Sequence, residues 1–285
     1  MSNIFIHPEF DPIAMWLGPF PVRWYGIMYL VAFIFFLLLG KKQLKNNFRF
    51  SGIRRRDLDD LLVYGIFGVI FGGRFGYVFF YNPLYYFANP LEIFAVWQGG
   101  MSFHGGLLGV VGSLIIFSYN RPKFGRRKIV KKFKLSFCSR FLMVTDFVSP
   151  LVPLGLMCGR IGNFINGELY GRVADTQIVS WAVIFPQSGT LDPRHPSQIY
   201  QAFGEGFLLF LILFNLSKFK LPIGTLSASF LIGYGFFRFT AEIFREPDSH
   251  LGFIFINLTL GQLLCLPMIF FGFVLLYYSK KKFAP

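Results

Sequence analysis

Long apolar runs, separated by short charged or turn-rich segments, dominate the chain. Runs near residues 22–39, 59–80, 101–119, 142–162, 197–216, 223–243 and 257–279 are continuously apolar, without the alternation of a half-buried strand. Each approaches the roughly 20 residues that a helix needs to cross the hydrocarbon of a bilayer. Lipid offers no partner to an open backbone N–H or C=O, so such runs must be helices, and the missing two-residue period argues against a transmembrane barrel. The pattern predicts an all-α integral membrane protein of about seven transmembrane helices, with residues 1–285 forming a single transmembrane domain. Segment 163–196 contains Gly, Pro, Asp and Ser and is too polar to span, so it is expected to be a small external arm between helices four and five.

Charge supplies the orientation. Basic blocks at 41–56 and 120–140, the pair Lys218 and Lys220, and the run Lys280 to Lys282 follow helices one, three, five and seven. They therefore share one side, which the positive-inside rule makes cytoplasmic; the N-terminus is expected outside, in the periplasm, and the C-terminus inside. The blocks need no further role than topogenic charge that also attracts anionic headgroups. The first twenty residues carry Glu9 and Asp11 and lack a basic leader, so no cleaved signal peptide is expected.

Composition narrows the function classes. At 54% hydrophobic, 20% aromatic and a mean hydropathy of +0.53, the chain has too little polar surface for a soluble domain. A net charge of +14 would suit nucleic acid only if it formed a basic face on a soluble fold, and here it lies in blocks between apolar runs, so no nucleic-acid partner is expected. Cys138, Cys158 and Cys265 form no Cys-x-x-Cys pair and indicate neither a disulfide framework nor a zinc site. Gly68, Gly72 and Gly76 at intervals of four give helix two a flat stripe, best explained as helix packing.

Every lysine lies in the basic blocks, and the seven cations outside them are all arginine: Arg23, Arg74, Arg160, Arg172, Arg194, Arg238 and Arg245. A guanidinium fork grips phosphate through two parallel hydrogen bonds and keeps its charge when buried, whereas lysine is a hydrated point charge that loses its proton more readily. Helix direction converts the topology into depth. Arg160 and Asn163, three apart, fall at the external end of helix four, with Glu168 just beyond. Tyr234, Arg238, Glu242 and Arg245 form one stripe at the external end of helix six. Tyr25 opens helix one beside Arg23, Arg74 lies in the outer half of helix two, and His104 stands in the first turn of helix three within the glycine-rich MSFHGGLLGVVG. Charges inside a membrane persist where they face a partner, a polar cavity or a ligand, so several arginines at one level imply an anion. A structural ion-pair ladder for Arg238, Glu242 and Arg245, snorkelling for Arg23 and a structural role for His104 stay open from spacing alone.

Residues 159–171 read GRIGNFINGELYG and resemble the signature of the prolipoprotein diacylglyceryl transferase family of bacterial inner membranes. Further matches are HPEFDP at 7–12, RWYGIMYLV at 23–31, FGGRFGYVFFYN at 71–82, GGMSFHGGLLG at 99–109, RHPSQIY at 194–200 and LIGYGFFRFTAEIFREPD at 231–248. The resemblance implies a multi-pass inner-membrane enzyme that moves the diacylglyceryl group of phosphatidylglycerol onto the lipobox cysteine thiol of a prolipoprotein, working toward the periplasm. It makes His104, Arg160 and Arg238 central, with Tyr25, Asn163, Glu168, Gly171, Tyr234 and Glu242 in the lipid or catalytic pocket. Arg74, Asn166, His195 and Arg245 join them as candidate substrate ligands, and Asn166 suits a glycerol hydroxyl. Three departures from the family pattern are a long basic block at 120–140, a short arm between Glu168 and His195, and Gln201, which stands where an acid commonly follows HPSQ-x-Y.

The chemistry so implied needs a base for the thiol and paired cations for the phosphate. Arg160 and Arg238 fit the second need, and His104, ahead of Glu168 or Glu242, fits the first because its ordinary pKa lies near neutrality. No metal cluster, phosphate-binding glycine loop or Gly-x-Ser-x-Gly elbow is present in the sequence, so no cofactor is expected. The rivals are an anion transporter, which would need polar residues along a whole transmembrane route, and a lipid-binding scaffold, which would leave His104 without a task.

Overall fold

Apolar runs become helices as expected, with boundaries set by local chemistry. The structure is a computed structural model that describes residues 4–46, 50, 53–80, 83–96, 99–120, 136–247, 253–255 and 258–283. Most of the basic block 120–140, and part of 41–56, lie outside these residues. Helices α1 (Trp24–Asn46), α2 (Arg55–Phe80), α3 (Pro83–Ala88), α4 (Phe103–Asn120), α5 (Phe137–Val148) and α6 (Val152–Ile165) come first. Next, α7 (Ser197–Gln201) runs through a π-helical segment, Ala202–Leu208, into α8 (Leu209–Leu216), and α9 (Thr225–Glu242) and α10 (Leu260–Phe283) follow.

The chain is a multi-pass, mostly helical membrane protein. Four helical stretches are long and apolar enough to cross a bilayer: Trp24–Lys45, Arg55–Phe80, Ser197–Leu216 and Leu260–Phe283. The α5 and α6 pair would make a fifth, but it is not the single straight helix expected over 142–162: it bends by 49° between Val148 and Val152. Pro150 and Pro153 account for the break, because each lacks the N–H that an uninterrupted ladder requires and its ring crowds the preceding turn. The apolar part of α4, Gly105–Asn120, is shorter than a span. Exposure is inverted relative to a soluble protein: Phe67, Phe71, Phe75 and Phe79 stack along the open face of α2, and Phe270, Phe271 and Phe273 stand open on α10, while Arg238, Glu242 and Asp146 are buried. Such a surface calls for hydrocarbon around it.

Contacts divide the chain into two units, residues 1–38 with 146–285, and residues 39–145. In the second unit α2 and α4 meet at backbone distance. A Cβ on Gly72 would lie 2.7 Å from Gly109 Cα, and one on Gly76 would lie 2.6 Å from Gly105 Cα, so the stripe seen in the sequence is a packing surface.

Polar groups organise the first unit. Gly224, in the left-handed region at φ 93°, starts α9, and the buried Asp146 carboxylate accepts from its amide at 2.7 Å and from the Ser227 amide at 2.8 Å. These are helix-start donors that would otherwise lack partners. The expected arm is not purely irregular: β4 (Val183–Ile184) pairs in parallel with β1 (Phe5–Ile6) and antiparallel with β5 (Pro193–Arg194), so it recruits residues from the N-terminal region. The remaining strands form hairpins, β2 (Ile13–Leu17) with β3 (Phe20–Arg23), and β6 (Phe253–Phe255) with β7 (Leu258–Thr259).

Gly72→Val should lower the midpoint of thermal unfolding in detergent by an amount corresponding to about 1–3 kcal/mol or more, because the branched side chain must push two backbones apart. Gly65→Ala, on the same helix but with nothing within 4 Å of the added carbon, is the control and should lose nothing.

Candidate functional site

The site begins where α6 ends. Asn163 is buried there and its side chain uses donors and acceptor together: Nδ2 donates to Tyr25 Oη at 2.9 Å and to Glu168 Oε1 at 2.8 Å, and Oδ1 accepts from Arg160 Nη1 at 3.4 Å. Glu168 can meet Asn163 because the chain doubles back at once. Gly167 (φ 65°) and Leu169 (φ 57°) both occupy the left-handed region, and the Glu168 amide donates to Asn163 O at 3.0 Å. For leucine that conformation costs about 1–3 kcal/mol, and it survives because neighbours over-determine it. Ser197 Oγ donates to Leu169 O at 2.9 Å and Gln198 Nε2 to Glu168 O at 2.7 Å. The RHPSQIY segment is thus a clamp on the turn that presents Glu168.

From Arg160 a ladder of alternating charge crosses to α9. Arg160 Nη2 lies 3.7 Å from Glu205 Oε2, and Glu205 Oε1 lies 3.6 Å from Arg238 Nη1. Arg238 Nη2 then meets Glu242 Oε2 at 2.7 Å, and Glu242 Oε1 lies 3.6 Å from Arg245 Nη1. The last carboxylate also accepts from Thr259 Oγ1 at 3.2 Å and sits over the start of α10, where a Cβ on Gly261 would come within 2.8 Å of it. The first turn of α10 favours an anion there. Buried ion pairs are weak sources of stability, since apolar residues of similar shape usually serve as well. A core this polar therefore points to a ligand.

Tyr234 stacks on Phe230 at 5.8 Å and shares a buried apolar cluster with Leu209 and Leu213, one turn before Arg238 on α9. Gly171 bridges to Arg245 and donates to His195 O at 2.9 Å; a Cβ there would lie 2.6 Å from Phe244 O, so glycine is required by space. Arg194 ties the same strand down, donating to Gly171 O at 3.2 Å and to Glu246 Oε2 at 3.1 Å. Half-buried His195 packs on Phe244 and shares a hydrogen bond at Nδ1 with Tyr200 Oη at 3.2 Å, that hydroxyl itself accepting from Trp181 Nε1. Burial holds its pKa below the ordinary 6.5. Asn166 caps α6 through its amide, and its buried Oδ1 has no hydrogen bond among the described residues.

Two candidates belong to the other unit. Arg74 directs all three guanidinium nitrogens to backbone carbonyls: Nε to Ile93 O at 2.9 Å, Nη2 to Glu92 O at 2.5 Å, and Nη1 to Gly99 O at 2.5 Å, with its charge over the Tyr86 ring. It holds the segment leading into α4, and its fork is engaged by protein. Residue 104 stands in the first turn of α4, and the His104 side chain lies outside the described residues.

Sequence reasoning missed Glu205, Thr259, Ser197 and Gln198. Glu205 carried a signal, being the one charged residue in the apolar run 197–216, and an ionisable group in such a run is a functional hypothesis by default. The others act through hydrogen bonds that no spacing announces.

Residues 12–278 match the family model described as prolipoprotein diacylglyceryl transferase. Similar proteins include the phosphatidylglycerol–prolipoprotein diacylglyceryl transferases of Methylibium petroleiphilum, 50% identical over 97% of this chain and 99% of that protein, and of Cupriavidus pinatubonensis, 49% identical over 98% and 95%. That of Dechloromonas aromatica is 50% identical over 97% and 98%.

A buried imidazole supports the turn from beneath. His7 Nε2 donates to Phe164 O at 2.7 Å, its ring packs on Phe10, Phe164 and Phe185, and Nδ1 faces Gln187 Nε2 at 3.5 Å. Burial lowers the His7 pKa below 6.5, against the Phe164 carbonyl, which raises it. The fold therefore favours the neutral ring, and the resulting stability is complete above pH 6.5 and is lost as the pH falls through the depressed native value. Acidification should deprotect the residue 7 amide, which donates to Ile184 O at 2.8 Å, and His7→Gln should abolish that pH dependence in hydrogen-exchange measurements.

Proposed function

Because the chain belongs to the prolipoprotein diacylglyceryl transferase family, we propose that it transfers the diacylglyceryl group of phosphatidylglycerol to the lipobox cysteine thiol of a prolipoprotein, and that Arg160 and Arg238 grip the lipid phosphate. The single observation that carries the second part is the Arg160–Glu205–Arg238 arrangement. Two buried guanidinium groups face one carboxylate at 3.6 to 3.7 Å, beyond hydrogen-bond length, so N–H groups of both are left for a phosphate.

In the step itself the cysteine sulfur attacks the glycerol methylene that carries the phosphate. A carbon–sulfur bond forms, the carbon–oxygen bond breaks, and its electron pair leaves on the phosphate oxygen of glycerol phosphate. The thiol gives up its proton to a base. The phosphate enters as a diester with one negative charge and departs as a monoester approaching two, so negative charge grows where the guanidinium groups stand. Preorganised cations in a site poor in water stabilise that growth more than they stabilise the starting lipid, which is what lowers a barrier.

The remaining residues take supporting parts. Asn163 holds Tyr25, Glu168 and Arg160 in one arrangement, and Glu242 orients Arg238 and Arg245. The buried acceptor of Asn166 suits a hydroxyl of the glycerol head. His104 and Glu168 are the candidate bases: the first by its ordinary pKa and its motif, the second by its exposure at the end of α6. In this proposal the enzyme crosses the bacterial inner membrane seven times, α4 and α9 joining the four long spans and the bent pair, with the N-terminus and the reaction on the periplasmic side. The basic segments support this orientation through the positive-inside rule.

Purified protein incubated with phosphatidylglycerol and a lipobox peptide should add the mass of one diacylglyceryl group to the peptide cysteine. Arg160→Lys keeps the charge but loses the planar fork, and transfer should fall by about a hundredfold or more. A lysine variant as active as the parent would sink the phosphate grip while leaving the transfer reaction itself intact.

A further inference from the structure

Glu205 is the most buried charge of the ladder, with no exposed surface, and neither carboxylate oxygen makes a hydrogen bond among the described residues. Its place is built by the backbone around it. The segment Ala202–Leu208 is π-helical, a widened turn that recurs at functional sites. Glycines flank the carboxylate on both sides. A Cβ on Gly206 would lie 2.5 Å from Met157 Cβ on α6, and one on Gly204 would lie 3.2 Å from the Phe237 ring on α9. Gly206 lets the segment press against α6 and Gly204 eases its approach to α9, and these are the helices that carry Arg160 and Arg238. The geometry is that of a wedge whose tip is one carboxylate between two guanidinium groups.

We propose that Glu205 is the resident counter-ion of the arginine pair, a positioning residue that keeps the two guanidinium groups apart at phosphate spacing and limits the charge of the site. Within the buried ladder, three guanidinium groups against two carboxylates leave a single net positive charge, with the exposed Glu168 outside it on the far side of Asn163. That matches the one negative charge of a phosphodiester and falls short of the two that a departing monoester approaches. The ladder is therefore balanced for the lipid and does not over-hold glycerol phosphate, so product leaves. An attraction exerted from beyond hydrogen-bond length neutralises the arginines without occupying their donors. The inference rests on the phosphate grip assigned to Arg160 and Arg238.

Glu205→Gln keeps the shape and raises the net charge by one. It should lower the inhibition constant of glycerol phosphate by about tenfold, and lower both KM for phosphatidylglycerol and kcat, as slower product release requires. A residue that merely supported the fold would reduce thermal stability and kcat without tightening the product. Glu205→Asp, which keeps the charge but withdraws it by one methylene, should tighten glycerol phosphate by a smaller factor, about threefold. If the glutamine variant does not fold, the aspartate variant decides. Unchanged glycerol phosphate inhibition in the folded variants overturns the counter-ion role. Should the parent enzyme itself be indifferent to glycerol phosphate and Arg160→Lys remain active, it is the phosphate grip that has failed.

Discussion

Everything at this site follows from the cost of placing charge where water scarcely reaches. A guanidinium group withdrawn from solvent must find a carboxylate, a carbonyl or a ligand anion, because no other neighbour can replace its hydration. The first unit answers with strict alternation, Arg160, Glu205, Arg238, Glu242, Arg245, each member supplied by a different turn or helix. Alternation binds α6, the π-helical segment, α9 and the start of α10 into one electrostatic object. Removing any member leaves an uncompensated neighbour, so their positions are mutually determined. The second unit shows the other solution in Arg74, whose charge is absorbed by backbone carbonyls and an aromatic ring. One residue type thus serves two ends, and what distinguishes them is whether the fork is filled by the protein.

The turn after α6 shows how stored strain is held. Leu169 adopts a backbone conformation that leucine disfavours, and Ser197, Gln198 and His7 hold the carbonyls around it. The benefit is local: Glu168 is brought back beside Asn163 within five residues. A longer, relaxed loop would reach the same place with more freedom, and the hydrogen bond from Asn163 would then hold the carboxylate less firmly.

Legibility from sequence followed the range of the physics. Apolar runs report the solvent around a helix, so the helical segments were evident, and glycines at intervals of four reported α2 packing on α4. Residues one helical turn apart share a face, so the Tyr234, Arg238, Glu242 and Arg245 stripe was visible as well. The bend between α5 and α6 was missed because the 142–162 run is predominantly apolar and long enough for one span, although Pro150 and Pro153 stand within it. The pairing of β1 with β4 joins residues far apart in the chain, and strands of two residues carry no periodicity. Glu205 was in plain view as a lone acid, but its partners on α6 and α9 are long-range contacts that spacing cannot supply.

The partition of lysine from arginine now has a physical reason on both sides. The sequence confines lysine to the basic blocks between apolar runs, the setting that suits a compact, strongly hydrated ammonium and in which a membrane surface supplies diffuse negative charge. Within the ladder an ammonium would face desolvation with a single charged point, and burial would press it toward the neutral amine just where Glu205 and Glu242 need a lasting positive partner. A guanidinium keeps its proton there, and its plane lets one edge meet Glu242 while the other edge faces Glu205 at a looser distance. Two edges with different engagement are what the proposed phosphate grip requires: the tight edge fixes the arginine in place, and the loose edge is the one left for a lipid.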